Sequence, residues 1–457
     1  MKKLLILTLA MCLLASASFA TYTRVKTMGN NDMVLHDEYN IWMFPSTLYD
    51  YPEMFIGEFT NTEAFYNSAP DKDLIYIDGE YPGYSNGGYV SSFGAGNIPH
   101  LGPMPYYVTG FTNLGAHFTF NEENPYVVGV YFTNSQAYMP LDFIHPSSFW
   151  FLTGDFDPSY LPDPNLDSDL FMVQNQRIDL FYSRMMGENK FGAHVGWVYS
   201  GLSLDSTDYN PKLSMNVYNI GLGYTAMENK LDLGLDFKML SWTEQADNGD
   251  DITKPDGCMS IMLAGRYFNE MSQKTTLIPH GKVMYEKLGT KYYGGSPSDV
   301  VEKDSFTGFK VDLGLGMNYN AAANVMAVTD VGVKFKSQKL KYEPTGGTSD
   351  EVKLSDITLP YFKMGLEATV FDWFDLRMGG VNYWLWESLT YPEGDNNLKL
   401  KAKYVMTEFY LGGGFHWGNL NLDTYVNPQV LNDGLYFVNG DYTHPFAYQV
   451  SLKYKMF

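Results

Sequence analysis

Alternation at period 2, repeated in long segments from one end of the chain to the other, most constrains what this chain can fold into. In 231–239 (LDLGLDFKM), Leu231, Leu233, Leu235, Phe237 and Met239 fall on one face, and Asp232, Gly234, Asp236 and Lys238 on the other. Residues 311–319, 325–336, 362–370 and 446–456 repeat the pattern. Successive side chains of a strand point to opposite faces, so each segment has one apolar and one polar side. A soluble sandwich alternates in the same way, and strand length separates the two. Many of these segments run about ten residues or more, as tilted membrane-crossing strands do, against about 5–6 in ordinary sheets. Small residues (Gly, Asn, Ser, Asp) on the polar face suit a wet interior.

The connections alternate too. Short links fall near 121–124, 185–189, 227–229, 270–273, 320–324, 371–373 and 416–418. Long ones fall near 67–106, 134–176, 201–212, 242–256, 287–305, 338–358, 387–401 and 428–445. Tight turns on one side and long loops on the other are the habit of outer-membrane barrels. The expectation is an all-β chain, a transmembrane antiparallel β-barrel of about 16 strands, with 14 as second choice. The first strand spans about 52–66, and both termini lie on the periplasmic side. Segment 86–93 is a further candidate strand, and 134–176 has room for an inserted element. Closure is required, because a strand in lipid must pair every backbone N–H and C=O.

Composition agrees. Aromatics reach 16% and charged residues only 18%, and no later segment has eighteen consecutive apolar residues. The net charge of −21, or −23 without Lys2 and Lys3, argues against a nucleic-acid partner. Residues 1–20 (MKKLLILTLAMCLLASASFA) read as a cleaved signal peptide, with Ser18 and Ala20 at the small-residue positions. Met11 before Cys12 speaks against a lipoprotein. The expected domains are a signal peptide (1–20), an N-terminal periplasmic or plug segment (21–50) and a barrel (51–457). Past the leader only Cys258 remains, so no internal disulfide and no multi-cysteine zinc site forms.

Two resemblances add to this. The chain ends in Phe457 after an amphipathic strand, similar to the terminal-aromatic insertion signal of Gram-negative outer-membrane barrels, but one residue out of phase with the outward set. Residues 32–48 (DMVLHDEYNIWMFPSTL) resemble the segment that opens FadL/OmpP1-type transporters. Asp37, Glu38, Asn40, Trp42, Pro45, Ser46 and Leu48 take comparable places, with a longer spacing from Asn40 to Pro45. The resemblance implies a plug with Asn40, Trp42 and Pro45 in it, and passage of hydrophobic compounds. A plain periplasmic extension or first strand is the alternative.

Catalytic motifs are not evident: there is no nucleophile elbow, HExxH, phosphate loop or CxxC. His194, His280 and His416 fall on different strands and read as lumen or loop histidines, with a Ser–His site across strands as the alternative. The acidic stretch 155–169 reads as a solvated outer loop, with calcium binding as the alternative. The polar phase carries Lys334, Lys336, Lys363, Arg377, Lys453 and Lys455, with Asp312, Asp330, Glu367 and Asp375. Such charges either pair and hold a wall or plug, or set ion preference in a pore. Trp42, Trp197, Trp384, Trp386 and Trp417 read as interfacial girdles, with a sugar-stacking path as the alternative.

The expected protein is thus a channel or transporter of the bacterial outer membrane for passive uptake of small or hydrophobic solutes, and not an enzyme. A diffusion porin with a charge-tuned lumen is one alternative. A non-transport barrel, acting in envelope assembly, adhesion or hydrolysis, is another. The expected partners are outer-membrane lipid and lipopolysaccharide, a small-molecule solute and the barrel-assembly machinery. No cofactor or metal is expected.

Overall fold

The computed structural model describes residues 22–64, 107–137, 173–203, 212–245, 251–293, 300–344, 349–393, 396–426 and 448–456. The leader, the acidic stretch 155–169, the candidate strand 86–93 and Phe457 lie outside them.

The strands form one antiparallel sheet that closes on itself. They are β1 (Met54–Ala64), β2 (Tyr107–Phe120), β3 (Tyr126–Ala137), β4 (Val173–Met186), β5 (Asn189–Ser203), β6 (Lys212–Ala226) and β7 (Leu231–Gln245). β8 is broken into three runs, Asp251–Pro255, Met259–Tyr267 and Asn269–Glu270. β9 (Thr275–Tyr293), β10 (Val300–Ala322), β11 (Val325–Pro344), β12 (Asp350–Phe371), β13 (Phe374–Glu393) and β14 (Asn396–Trp417) follow. β15 (Leu420–Val426) and β16 (Tyr448–Lys455) complete the wall. β16 pairs with β1, from Met54 opposite Lys455 to Asn61 opposite Tyr448. With β8 counted once the barrel has 16 strands, as expected. No described helix is long and apolar enough to cross a membrane.

The alternation maps onto the two faces of the wall. On β7, Asp232, Asp236 and Lys238 are buried inward, and Leu233, Leu235 and Met239 are exposed outward. On β10, Leu313 and Leu315 are exposed and Asp312 is buried. Apolar outside and polar inside inverts a soluble core, and it is the arrangement of a wall standing in lipid. Rings cluster beside the short turns. Phe371 stacks on Trp373 (5.5 Å), Phe415 on Trp417 (5.7 Å) and Phe120 on Tyr126 (5.5 Å), forming an aromatic edge.

The seven short links stand as expected. Four of the expected long loops do not. Most of 242–256, 287–305, 338–358 and 387–401 is strand; around the last three, β9 to β14 run 19 to 23 residues, against 12 to 15 for the described parts of β2 to β7. Charged residues in these stretches suggest loops, but Lys339, Lys353, Lys399 and Lys401 stand on the outer side of strands that continue past the apolar band, and Asp356 and Glu387 are buried inward.

Residues 22–53 lie within the barrel. They form a short helix (Tyr22–Thr27) and two 3-10 turns (Glu38–Trp42 and Pro45–Asp50). Asp37 opens the first turn with a reciprocal cap: its side chain accepts from Tyr39 N–H, and Asn40 Oδ1 accepts from Asp37 N–H at 2.9 Å. Val34, Ile41, Phe44 and Leu48 are fully buried, so this segment supplies much of the molecule's apolar core.

Candidate functional site

The candidate site is the contact between residues 22–53 and the inward face of the wall. The wall makes room with glycine. A methyl at Gly192 or Gly223 would overlap the backbone of Pro45 and Ser46, so those strands can touch the turn only without a Cβ. Ser46 is then held from two sides. Its hydroxyl lies 2.8 Å from that of Thr225, and its carbonyl accepts from Ser183 at 2.8 Å.

Arg266 on β8 is the most connected of these contacts. It is fully buried. Its Nε donates to Asp232 at 2.9 Å, one terminal nitrogen to Leu35 C=O at 2.8 Å, and the other to Asn40 Oδ1 at 2.9 Å. Its plane lies over Phe44 and Phe268, 4.8 and 4.9 Å from the ring centres. A planar five-donor group is suited to gripping a carboxylate and several acceptors together. Asp232 and Arg266 stand directly opposite each other on β7 and β8, so strand pairing sets the ion pair.

A second network ties the segment to β12, β13, β15 and β16. Arg24 donates to both oxygens of Glu367 (2.8 and 2.9 Å) and to Asp37 (2.7 Å). Arg377 also reaches Glu367 (2.5 Å), pairs with Asp423, and lies 3.6 Å from Asp375. Lys453 pairs with Glu38 and lies 3.6 Å from Asp423. A third cluster surrounds Asp32. Lys282 lies at 3.2 Å and Lys363 at 3.5 Å, and Lys363 also donates to Asn30 C=O at 2.7 Å. Asp330 joins it, 3.9 Å from Lys363 and 2.9 Å from His280. Burying so many charges is tolerable only because each cluster pairs opposite signs.

Trp42 is a correction to the interfacial reading. It is buried inside the barrel, edge-on to Tyr131 (5.1 Å), Phe181 (4.9 Å) and His194 (5.6 Å), with Arg177 over its ring. It belongs to the inner segment, where no water–lipid boundary exists. Trp197, Trp384 and Trp417 are exposed on the outer face. Lys455 is a second correction. It sits exposed at the short-turn rim, where the last strand ends, and not in a lumen row.

The remaining charged candidates point inward and meet partners. Lys334 lies 3.8 Å from Asp312 and over the rings of Tyr361 and Tyr383, and Lys336 lies 3.0 Å from Asp356. Asp312–Lys334, Lys336–Asp356, Asp330–Lys363 and Glu367–Arg377 are all directly opposed across strands. The histidines meet carboxylates: His194 with Asp179 (2.7 Å), His280 with Asp330 (2.9 Å) and His416 with Asp375 (2.7 Å). Among the described residues no cluster of metal-ligating side chains is present. The sequence reading does not single out Arg24, Asp32 or Arg266, and it puts Asp232 on the polar face of its strand without a partner. The opposition of Asp232 and Arg266 could have been found by aligning β7 with β8.

Further toward the long-loop end the inner face changes. Val198, Val217, Leu240, Leu288, Phe306, Leu354 and Leu389 point inward and are buried. They line up across strands: Val198 opposite Val217, Val217 opposite Leu240, Leu288 opposite Phe306, Phe306 opposite Leu340, and Leu354 opposite Leu389. Cys258 joins the row in the break of β8, where its thiol donates to Gly289 C=O.

No known protein family and no curated protein matches the chain. Among solved structures it is similar to the ferric yersiniabactin uptake receptor FyuA from Yersinia pestis, at 8% identity over 71% of this chain and 58% of that one, with a TM-score of 0.38. It is similar to the alcaligin outer membrane receptor FauA from Bordetella pertussis, at 8% identity over 70% and 58%, with a TM-score of 0.39. It is also similar to CdiB from Escherichia coli, at 10% identity over 76% and 60%, with a TM-score of 0.38. The chain spans less than two thirds of the length of each.

Proposed function

We propose that this chain is a bacterial outer-membrane transporter for small hydrophobic solutes, closed at rest by residues 22–53. The inward apolar row, from Val198 round to Leu389, carries this reading. A wet diffusion pore has a polar lining. An apolar lining offers a hydrophobic solute a place to leave water before it meets the inner segment. The inner segment then regulates passage, because its clamps are ion pairs and hydrogen bonds rather than a covalent link. The pairing of Lys334 with Asp312 and of Lys336 with Asp356 supports a wall-holding role for these charges over a role in ion preference.

The test is solute flux into liposomes carrying the refolded chain. A neutral aromatic solute should enter at least tenfold faster than a neutral sugar of similar size. Phe306→Asp with Leu340→Asp should abolish that preference. Equal flux of both solutes would refute the reading.

A further inference from the structure

The outward face of β11 to β14, beyond the apolar band, is basic in a chain of net charge −21. The last apolar outward row is Phe335, Ile357 and Trp386, opposite one another on successive strands, and Lys403 stands next in line on β14. One step further toward the long-loop end, Ser337, Ser355, Ser388 and Lys401 form a second row. One step beyond that, Lys339, Lys353, Thr390 and Lys399 form a third. Ammonium and hydroxyl groups thus make a grid directly above a greasy edge.

Among the described residues this grid is short of its own counter-charge. Lys339 faces Lys353 directly, and like charges opposite one another destabilise a sheet. Glu351 answers both, pairing with Lys339 and lying 2.7 Å from Lys353. Lys399, Lys401 and Lys403 share one side of one strand, about 7 Å apart. All three are exposed, and among the described residues they have no ion pair. An anion supplied from outside would relieve the repulsion.

We infer that this face binds the phosphate-bearing headgroups of the lipid leaflet at the long-loop end of the barrel. Two observations select a lipid as the occupant. The grid is continuous with the apolar band, so acyl chains on Phe335, Ile357 and Trp386 bring their headgroups level with the lysines. Its charge is opposite to that of a phosphorylated headgroup, and each Lys near an anionic surface adds to binding. The hydroxyls of Ser355, Ser388 and Thr390 supply neutral donors between the cations. The inference rests on the membrane reading above, and heat-modifiable migration of the folded chain checks that reading separately.

The experiment titrates the folded full-length chain in neutral detergent with fluorescent diphosphorylated lipid A. Wild type should bind it at least tenfold more tightly than the dephosphorylated lipid. The triple variant Lys399→Gln, Lys401→Gln, Lys403→Gln should lose about tenfold. Lys399→Arg, Lys401→Arg, Lys403→Arg, which keeps the charge and guards against a folding artefact, should bind as wild type. A rim control, Lys274→Gln with Lys455→Gln, should also bind as wild type. Unchanged binding by the Gln triple, or an equal loss in the rim control, would overturn the inference. A heat-modifiable chain that does not distinguish phosphorylated from dephosphorylated lipid would overturn it while leaving the barrel intact.

Discussion

The long strands of this barrel carry opposite amphipathicity at their two ends. Near the short turns, β10 shows Leu313 and Leu315 to the outside and Asp312 to the inside; near the long loops it turns Phe306 inward. β12 does the same, with Phe362 outward and Lys363 inward below, Lys353 outward and Leu354 inward above. Backbone and pleat are unchanged, so the difference lies in what each face meets. At the level of the apolar band the outer face is apolar, and the inner face meets residues 22–53 through ion pairs and hydrogen bonds as well as through buried apolar contacts such as Trp42 on Phe181. Above it, the outer face carries lysines and serines, and the inner face packs an apolar row. A period-2 pattern therefore identifies a strand, but its surroundings decide which phase is apolar.

The largest expected effect comes from breaking the lower inner face. Arg266→Ala would leave Asp232 as a buried carboxylate without its cation, and Leu35 C=O and Asn40 without a donor. Removing one partner of such a buried pair costs about 3–5 kcal/mol. Urea unfolding of the detergent-folded barrel should show that loss, and protease should then cut within 22–53. A charge on the outer face tests the contrast directly. Leu313→Arg, near the middle of the apolar band, should cost about 2–4 kcal/mol in lipid. Thr307→Arg, outward on the same strand but above the band, should cost close to nothing. Equal costs in a lipid-vesicle folding titration would dissolve the distinction between the two ends.

Gly223→Val is expected to come next, at about 1–3 kcal/mol, since the new side chain would displace Pro45 and Ser46 and with them the Thr225 contact. Its signature is local, namely faster proteolysis of 22–53 with the barrel's heat-modifiability kept. The smallest effect belongs to the upper end. There Lys291 donates to Asp256 at 2.6 Å and holds that carboxyl below its ordinary range. A lowered folded-state value stabilises at neutral pH and loses its contribution as pH falls through the carboxylate range. The pair is solvent-screened, so Asp256→Asn should flatten the acid limb of the stability curve only slightly.

The barrel was legible because a wall in lipid must repeat its pattern in every strand, and the tight turns punctuate it. The strand count followed from those turns. The upper parts of β9 to β14 resemble loops in sequence because lysine and serine replace apolar residues on the outward phase there. The path of residues 22–53 was not legible. Its helix and turns are of five or six residues, too short for a periodic signal. The charged partners were half legible. Glu367 and Arg377 were recognisable as inward residues, but their convergence on Arg24 depends on where the inner segment lies. Trp42 shows the same gap, since a tryptophan at a membrane interface and one clamped inside a barrel look alike in sequence.

Single-channel conductance in a planar bilayer tests most directly whether residues 22–53 close the lumen. The refolded wild-type chain should be heat-modifiable and electrically silent, and the same chain lacking residues 22–50 should give discrete ohmic steps. Steps of equal size from both would contradict a closed barrel.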